Sequence, residues 1–377
     1  MKRENLLLVA DSERCADMFY AVGMFVPDPF IYLRVQGRPI IVMSDLEIDR
    51  ARQEAPHCRV ISLSRIQRKL RSLGVKKTGD GHVIRDLFRT YGIKKATVPH
   101  DFPLGLATEL RKLKLKVKPA SSPLFPERLV KSAAEVKKIS AALMMAEVGL
   151  AEGIQALKSC KIDRKRRLLY HHNPLTSEKL RAVIDTGIVQ AGGQASHTIV
   201  AGGRQGCDPH ERGHGLLRAN EPIILDVFPR SQKTGYYGDI TRTVVRGRAS
   251  EGVRRLYHTI ERSQEIGFEA LRHNAPGRDV HRKIAEFFER EGYKTGRTRG
   301  RVQGFFHGTG HGVGLEIHEG PRLGQFSTDT LKAGHVVTVE PGLYYWELGG
   351  GVRLEDMALV TTNGTRNLTK FEKLLEI

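Results

Sequence analysis

Short apolar runs alternate with stretches of helical periodicity in the first third of the chain. The runs at residues 6–10, 30–33 and 39–43 are continuous enough to predict buried strands. Residues 66–73 and 102–113 space their apolar positions as helices do. Alternation of this kind predicts an α/β domain.

A segment rich in turn-forming residues follows at 118–123, where the sequence reads Lys-Pro-Ala-Ser-Ser-Pro. It indicates a domain boundary, so we predict an N-terminal domain at 1–122 and a second domain at 123–377. Apolar residues then recur at spacings of three and four between 128 and 158, which predicts a long amphipathic helix.

The second domain is predicted to repeat its own order of elements. Helices at about 128–158 and 177–191 precede strands that carry Asp226 and Asp239. Helices at about 250–272 and 276–290 precede strands that carry Glu340 and Glu355. An α+β domain with a pseudo-twofold repeat, and with a site between its halves, accounts for this order.

Composition narrows the class of protein. A chain of 377 residues is expected to form two domains at the usual size of about 100–200 residues each. Its hydrophobic content of 40% is enough to form a core in both. No run approaches the roughly 20 apolar residues of a membrane span or forms a secretory signal, so we expect a cytoplasmic protein without membrane contact. Its four scattered cysteines predict free thiols.

The net charge of +19 permits a nucleic-acid partner. Basic residues cluster at 161–167 and 294–301, but no aromatic residues interleave them to form a stacking platform, so this partner is not favoured. The role of the basic insert at 161–173 is left open.

The acidic residues on the predicted strands carry the chemistry. Asp226 closes the apolar run 223–225, and burying an isolated carboxylate costs several kcal/mol unless a cation or donor compensates it. A hairpin would bring Asp239 close to it, and a second hairpin would do the same for Glu340 and Glu355. Three histidines lie between the hairpins, in the glycine-rich segment 307–319.

Carboxylates with an imidazole suit two divalent cations. A metal pair about 3.5–4 Å apart can supply a bridging hydroxide near neutral pH and polarise a carbonyl, which is the chemistry of amide hydrolysis.

These motifs resemble the pita-bread metallopeptidases, family M24, and specifically the branch of aminopeptidase P and prolidase. The resemblance covers roughly 123–377, and the preceding α/β domain resembles the creatinase-type N-terminal domain of that branch. It implies hydrolysis of Xaa-Pro bonds in peptides with proline at the second position, through a metal-bridging hydroxide. It also implies a homodimer and two divalent metal ions, with Mn²⁺ favoured over Co²⁺ or Zn²⁺.

The resemblance assigns site residues by motif. Asp226 would bind one metal, Asp239 and Glu355 would bridge both, and the second metal would take the remaining two ligands. The implied metal ligands are therefore Asp226, Asp239, His311, Glu340 and Glu355. The implied catalytic residues are His210 upstream of the first aspartate, the substrate-side His307, the proton-handling or intermediate-stabilising His318, and the orienting Arg353. Arg322 is a weaker candidate for meeting a substrate carboxylate.

Two other functions remain open from the sequence. Some relatives of this fold are inactive and bind nucleic acid or protein, and creatinase-like amidinohydrolases work without metal. All five implied ligands are present here, which disfavours both.

The spacing from Asp226 to Asp239 is longer than is usual in the family, and we interpret the excess as a longer hairpin turn at 230–234. A preference for dipeptides or for longer peptides is not decided by the sequence.

Overall fold

The structure is a computed structural model that describes residues 4–377. Contacts within the chain divide it into two compact units, Met1–Arg128 and Leu129–Ile377. Among the described residues, every helix is too short or too polar to cross a lipid bilayer.

The first unit is one mixed sheet with helices on both faces. Its strands are β1 (Leu6–Ala10), β2 (Phe30–Val35), β3 (Arg38–Met43), β4 (Arg59–Ser62), β5 (Lys95–Val98) and β6 (Lys116–Pro119). Its helices are α1 (Ala16–Val22), α2 (Ile48–Glu54), α3 (Leu63–Ser72), α4 (Asp80–Thr90) and α5 (Leu104–Lys112). The strand order is β4-β3-β2-β1-β5-β6. Three pairs are parallel: β4 with β3, β5 with β1, and β6 with β5.

Alternation along β1 shows how this sheet separates two cores. Leu6 and Leu8 pack in one hydrophobic cluster with residues of α1 and α2, whereas Leu7 packs in the other with residues of α3, α4 and α5. Successive side chains of a strand point to opposite faces, so a continuous apolar run serves both cores. The predicted α/β architecture of this part of the chain is confirmed.

The second unit contains two helix pairs and two main antiparallel sheets. The helices are α6 (Ala133–Lys158), α7 (Ser177–Gln190), α8 (Glu251–Ala270) and α9 (Gly277–Arg290). The strands before α8 are β7 (Lys161–Ile162), β8 (Leu168–Tyr170), β9 (Asn173–Pro174), β10 (Gly193–Gln194), β11 (Ile199–Gly202), β12 (Ile223–Val227), β13 (Arg230–Ser231) and β14 (Ile240–Val244). The strands after α9 are β15 (Gly296–Thr298), β16 (Arg301–Gln303), β17 (Gly310–Gly312), β18 (Glu319–Leu323), β19 (Val336–Val339), β20 (Gly342–Tyr345), β21 (Gly350–Arg353), β22 (Asp356–Thr361) and β23 (Gly364–Asn367).

The predicted repeat is visible in how these elements pack. Helix α6 packs on α7 beside the sheet β11-β12-β14, and α8 packs on α9 beside the sheet β18-β17-β19-β22-β23. A bridge between Thr241 and Glu355 joins the two halves. The basic insert folds as a small sheet of its own, β7-β8-β9.

One predicted boundary is wrong. The first long helix begins at Ala133 rather than at residue 128, because a capping box fixes its start. The Ser132 side chain accepts a hydrogen bond from the Glu135 backbone at 3.3 Å, and the Glu135 carboxylate accepts one from the Ser132 backbone at 2.8 Å. The preceding residues Pro126–Leu129 form a 3₁₀ turn instead.

Candidate metal centre

A cavity of about 590 Å³ lies within the second unit and is lined by every site residue that the sequence predicted. Asp226 lies on β12, Asp239 directly precedes β14, and His311 lies on β17. Glu340 directly follows β19, and Glu355 lies between β21 and β22. The remaining predicted residues on its wall are His210, His307, His318, Arg322 and Arg353.

Strand register brings the carboxylates to one place. Asp226 on β12 is opposite Thr241 on β14, and Thr241 forms the bridge to Glu355. Asp239 precedes Thr241 by two positions, so both residues face the same side of the strand. The turn at 230–234 therefore leaves Asp226 and Asp239 on the same cavity, although their spacing is long.

Ligand atoms of Asp239, His311 and Glu355 all lie within 4.8 Å of one another. His311 Nε2 is 3.8 Å from Asp239 Oδ2 and 3.3 Å from Glu340 Oε1. Asp226 is outside this tight group, but its Oδ1 is buried and accepts no hydrogen bond, so the oxygen is available as a ligand. Thr241 and Thr338 hold Glu355 and Glu340 through hydroxyl hydrogen bonds of 2.7 and 3.2 Å.

The electrostatics of the cluster favour a bound cation. Burial raises the pKa of Asp239 well above its ordinary value, and the neighbouring Glu355 and Asp226 carboxylates raise it further. Burial and the same kind of repulsion raise the pKa of Glu355. Burial also opposes ionisation of Glu340, but its hydrogen bond with His311 lowers the pKa to about 2. Divalent cations compensate buried carboxylates of this density, and the oxygen and imidazole donors suit them.

Glycines on both sides of His311 allow other backbone segments to approach closely. A Cβ atom on Gly310 would lie 2.0 Å from the Thr338 carbonyl oxygen, and one on Gly312 would lie 2.0 Å from that of Gly320. The glycine-rich segment is therefore needed to seat β17 between its neighbours with the His311 imidazole in the cavity.

Gly238 fixes the position of Asp239 in the same way. A Cβ atom there would lie 2.3 Å from the Leu143 backbone nitrogen of α6. We expect Gly238→Ala to lower the free energy of unfolding by about 1–3 kcal/mol and to weaken metal binding, because strand and helix must separate. Thermal melts and metal titration measure both. Gly105→Ala is the control, since open space surrounds that glycine in α5; a Gly238 variant as stable as this control would contradict the expectation.

A buried hydrogen-bond network links the cavity wall to Asp226. Arg353 donates to Asp226 Oδ2 at 2.7 Å and to the Tyr344 hydroxyl at 3.0 Å. His307 Nε2 lies 2.8 Å from the same hydroxyl, and burial lowers the pKa of His307 to about 4. The sequence prediction missed Tyr344. No local sequence pattern marks this residue, because only the folded hairpin brings its hydroxyl to Gly342, where a Cβ atom would lie 2.4 Å from it.

His210, His318 and Arg322 lie at the exposed edge of the cavity. The His318 ring is 4.4 Å from that of His311, edge to face. Partial burial, His311 and the Arg322 cation lower the pKa of His318 to about 4, so its imidazole is neutral near pH 7.

Arg242 supports the site from the opposite face of β14, and the sequence prediction missed it as well. Its side chain is buried and donates to the main-chain oxygens of Thr241 and Glu355 at 2.9 and 2.7 Å. It also pairs with Asp356 at 2.8 Å and donates to the carbonyl of Phe371 at 2.7 Å. The cation thereby ties the two ligand-bearing strands to the last segment of the unit.

Comparison with known proteins adds independent observations. Residues 137–362 match the sequence model of metallopeptidase family M24. The Xaa-Pro dipeptidase of Pyrococcus horikoshii is 28% identical over 289 residues, which cover 75% of each chain. The Xaa-Pro dipeptidase of Pyrococcus furiosus is 30% identical over 251 residues, which cover 66% of this chain and 65% of that one.

Solved structures share the fold over nearly the whole chain. The Xaa-Pro dipeptidase from Bacillus anthracis superposes with a TM-score of 0.81 at 23% identity, covering 99% of this chain and 95% of that chain. The X-Pro aminopeptidase from Thermotoga maritima gives 0.81 at 21% identity, covering 99% and 97%. The pita-bread fold expected for the second domain, with a creatinase-type domain before it, is confirmed. The chain belongs to metallopeptidase family M24 and is a peptidase of its prolidase and aminopeptidase P branch.

Proposed function

We propose that this chain is a dinuclear metal-dependent peptidase that hydrolyses the bond before proline in peptides with proline at the second position. The convergence of four carboxylates and one imidazole on a single cavity carries the proposal. The names of the Pyrococcus relatives support the Xaa-Pro specificity.

The residues present fit two divalent cations. Asp226 would hold one, His311 and Glu340 the other, and Asp239 and Glu355 would bridge them, with Mn²⁺ favoured over Co²⁺ or Zn²⁺. The free Oδ1 of Asp226 and the mutual repulsion of Asp239 and Glu355 support this assignment. When bound, such cations lower the pKa of a coordinated water and polarise a carbonyl.

The chain's own side chains would then position the substrate and handle protons. Arg353 holds Asp226 and the Tyr344 hydroxyl in place, so it orients one ligand and one wall of the cavity together. Neutral His307 contacts the same hydroxyl and faces the cavity on what we propose is the substrate side. His318 at the edge is assigned to proton transfer or to stabilising the tetrahedral intermediate, and His210 is proposed as a further catalytic residue there.

The test is removal and restoration of metal. After treatment with chelator we expect hydrolysis of Ala-Pro and Ala-Pro-Ala to be lost, and to return with Mn²⁺, Co²⁺ or Zn²⁺ in molar ratios near two per chain. Ala-Ala and Ala-Ala-Ala are the matched controls for proline. Metal-independent release of urea from creatine would instead indicate an amidinohydrolase. Absence of metal uptake together with salt-sensitive nucleic-acid binding would indicate an inactive binding protein.

Location and assembly are further parts of the proposal. The four cysteines form no disulfide, which supports a reducing cytoplasm. A homodimer is proposed from the resemblance to this branch, and light scattering of the purified protein measures it.

A further inference from the structure

A second cavity of about 790 Å³ adjoins the metal centre within the same unit. Asp208, Pro209 and Phe306 line both cavities, so they form the wall between the two spaces. The Phe306 ring lies 5.2 Å from Tyr344 and 6.3 Å from His307. The second cavity therefore lies next to the metal centre, on the other side of Phe306.

The recognition surface of this second cavity is an indole that holds two guanidinium groups. Trp346 lies in the turn between β20 and β21, and the Arg301 guanidinium lies 3.6 Å from the centre of its ring. The Arg204 guanidinium lies 5.1 Å from the ring, and its Nε donates to the Trp346 carbonyl at 3.3 Å. Stacking on an aromatic face fixes the plane of a guanidinium and leaves its N–H groups free to bind a carboxylate.

Three acidic residues also line this cavity, Asp208, Glu211 and Glu347, but none of them forms an ion pair with Arg204 or Arg301. Arg299 is paired with Glu347 at 2.9 Å. Arg204 and Arg301 form no ion pair with any carboxylate within residues 4–377. The thiol of Cys207 also lines this cavity, and burial raises its pKa to about 11, although both arginines oppose that shift. Both arginines are exposed, so the guanidinium N–H groups that make no contact within the chain are accessible to a carboxylate.

Apolar side chains beside these cations indicate a peptide as the occupant. Val302 and Phe306 line the cavity with 39% and 37% of their surfaces exposed, so they offer apolar contact to a bound chain. The arginines, the indole and these side chains together match a peptide segment that carries a carboxylate.

We propose that this cavity binds the part of a peptide substrate beyond its proline and selects a carboxylate there through Arg301. The inference rests on the proposed function, because an enzyme that cleaves after the first residue has only the segment beyond the proline left to place. It assigns a preference for peptides longer than a dipeptide, with an acidic side chain or the C-terminal carboxylate in reach of the Arg301 guanidinium.

The experiment compares kcat/KM for Ala-Pro and for amidated peptides Ala-Pro-(Ala)n with Asp, Asn or Lys at position three, four or five. The same Asn peptides with a free C-terminal acid distinguish a terminal from a side-chain carboxylate. We expect an Asp peptide to exceed its Asn counterpart, chiefly through a lower KM. In Arg301→Gln that ratio should fall roughly tenfold, whereas Arg301→Lys should keep part of it because the charge remains.

Arg297→Gln is the matched control, since Arg297 lies on the same hairpin, carries the same charge and does not line the cavity. The ratio should stay at the wild-type value in this variant. Equal kcat/KM for Asp and Asn peptides in the wild type, or equal loss of the ratio in the Arg297 and Arg301 variants, would overturn the inference while leaving the proposed function intact. Failure of the metal-loaded protein to cleave any Xaa-Pro peptide would overturn the proposed function itself.

Discussion

Glu355→Gln is expected to lose metal retention and to reduce Xaa-Pro hydrolysis by at least roughly 10³-fold, because the substitution removes the carboxylate proposed to bridge both cations. Glutamine keeps an oxygen that can accept the Thr241 hydroxyl, which lies 2.7 Å from the carboxylate in the native protein. The effect should therefore come from charge and ligation rather than from lost packing. Metal content of the purified variant and its steady-state kinetics measure both parts.

The stability of the metal-free protein provides a second test. Here the substitution is expected to do no harm, in contrast to its effect on activity. Glu355 is buried beside other carboxylates that raise its pKa, so its negative charge destabilises the fold when no cation is bound. After chelation, the variant should melt at the same temperature as the wild type or higher, and only the wild type should gain stability on adding Mn²⁺. Glu265→Gln, on the exposed face of α8, is the control. Full activity or a Mn²⁺-dependent gain in the Glu355 variant would refute the bridging role.

Arg242→Met is expected to give the largest loss of stability. The substitution removes a buried cation, leaves Asp356 Oδ1 without its 2.8 Å partner while Lys373 still pairs with Oδ2 at 2.9 Å, and leaves several main-chain oxygens without a donor. Breaking a buried pair in this way costs about 3–5 kcal/mol, which for a unit of this size corresponds to a melting point lower by roughly 10 °C. Activity should fall as well, because Thr241 and Glu355 lose their shared anchor.

Arg254→Met serves as the comparison, because Arg254 pairs with Glu376 on the surface. Exposed pairs contribute about 0–1 kcal/mol, so this variant should melt close to the wild type. Melting curves followed by circular dichroism, with urea denaturation at 25 °C, distinguish the two. If both variants behaved alike, Arg242 would not hold the ligand strands together.

The sequence indicated the metal cluster because each ligand interrupts a pattern. Asp226 ends an apolar strand, and a carboxylate in such a place needs a compensating group whatever the fold. The glycines around His311 mark close approach of main chains, which the structure bears out at the carbonyls of Thr338 and Gly320. A sequence pattern that would destabilise the fold unless another group compensated it can be recognised from the sequence alone. The roles assigned to the individual ligands stay predictions.

The supporting residues left no such pattern. Tyr344 lies in an apolar and aromatic run, and its hydroxyl finds Arg353 only because β20 pairs with β21 in one register. From the sequence alone, Arg242 cannot be distinguished from a surface arginine. The pairing of the strands places its side chain in the interior. The short strands β4 and β6 are largely exposed or half-buried, so their hydrophobic signal is weak. Properties that depend on long-range pairing could not be predicted from local spacing.

The length of the hairpin formed by β20 and β21 sets the distance between the metal ligands and Trp346. The base of the hairpin carries Arg353 beside the metal ligands, and its tip carries Trp346. Adding two residues to each strand would move the tip outward by about 7 Å, the length of roughly two extended peptide residues. The indole that supports the Arg301 guanidinium would move by the same interval, and under the proposal above the carboxylate would be bound correspondingly further along the substrate. Natural variation in this one turn would thus retune which peptides are processed without altering the chemistry at the base.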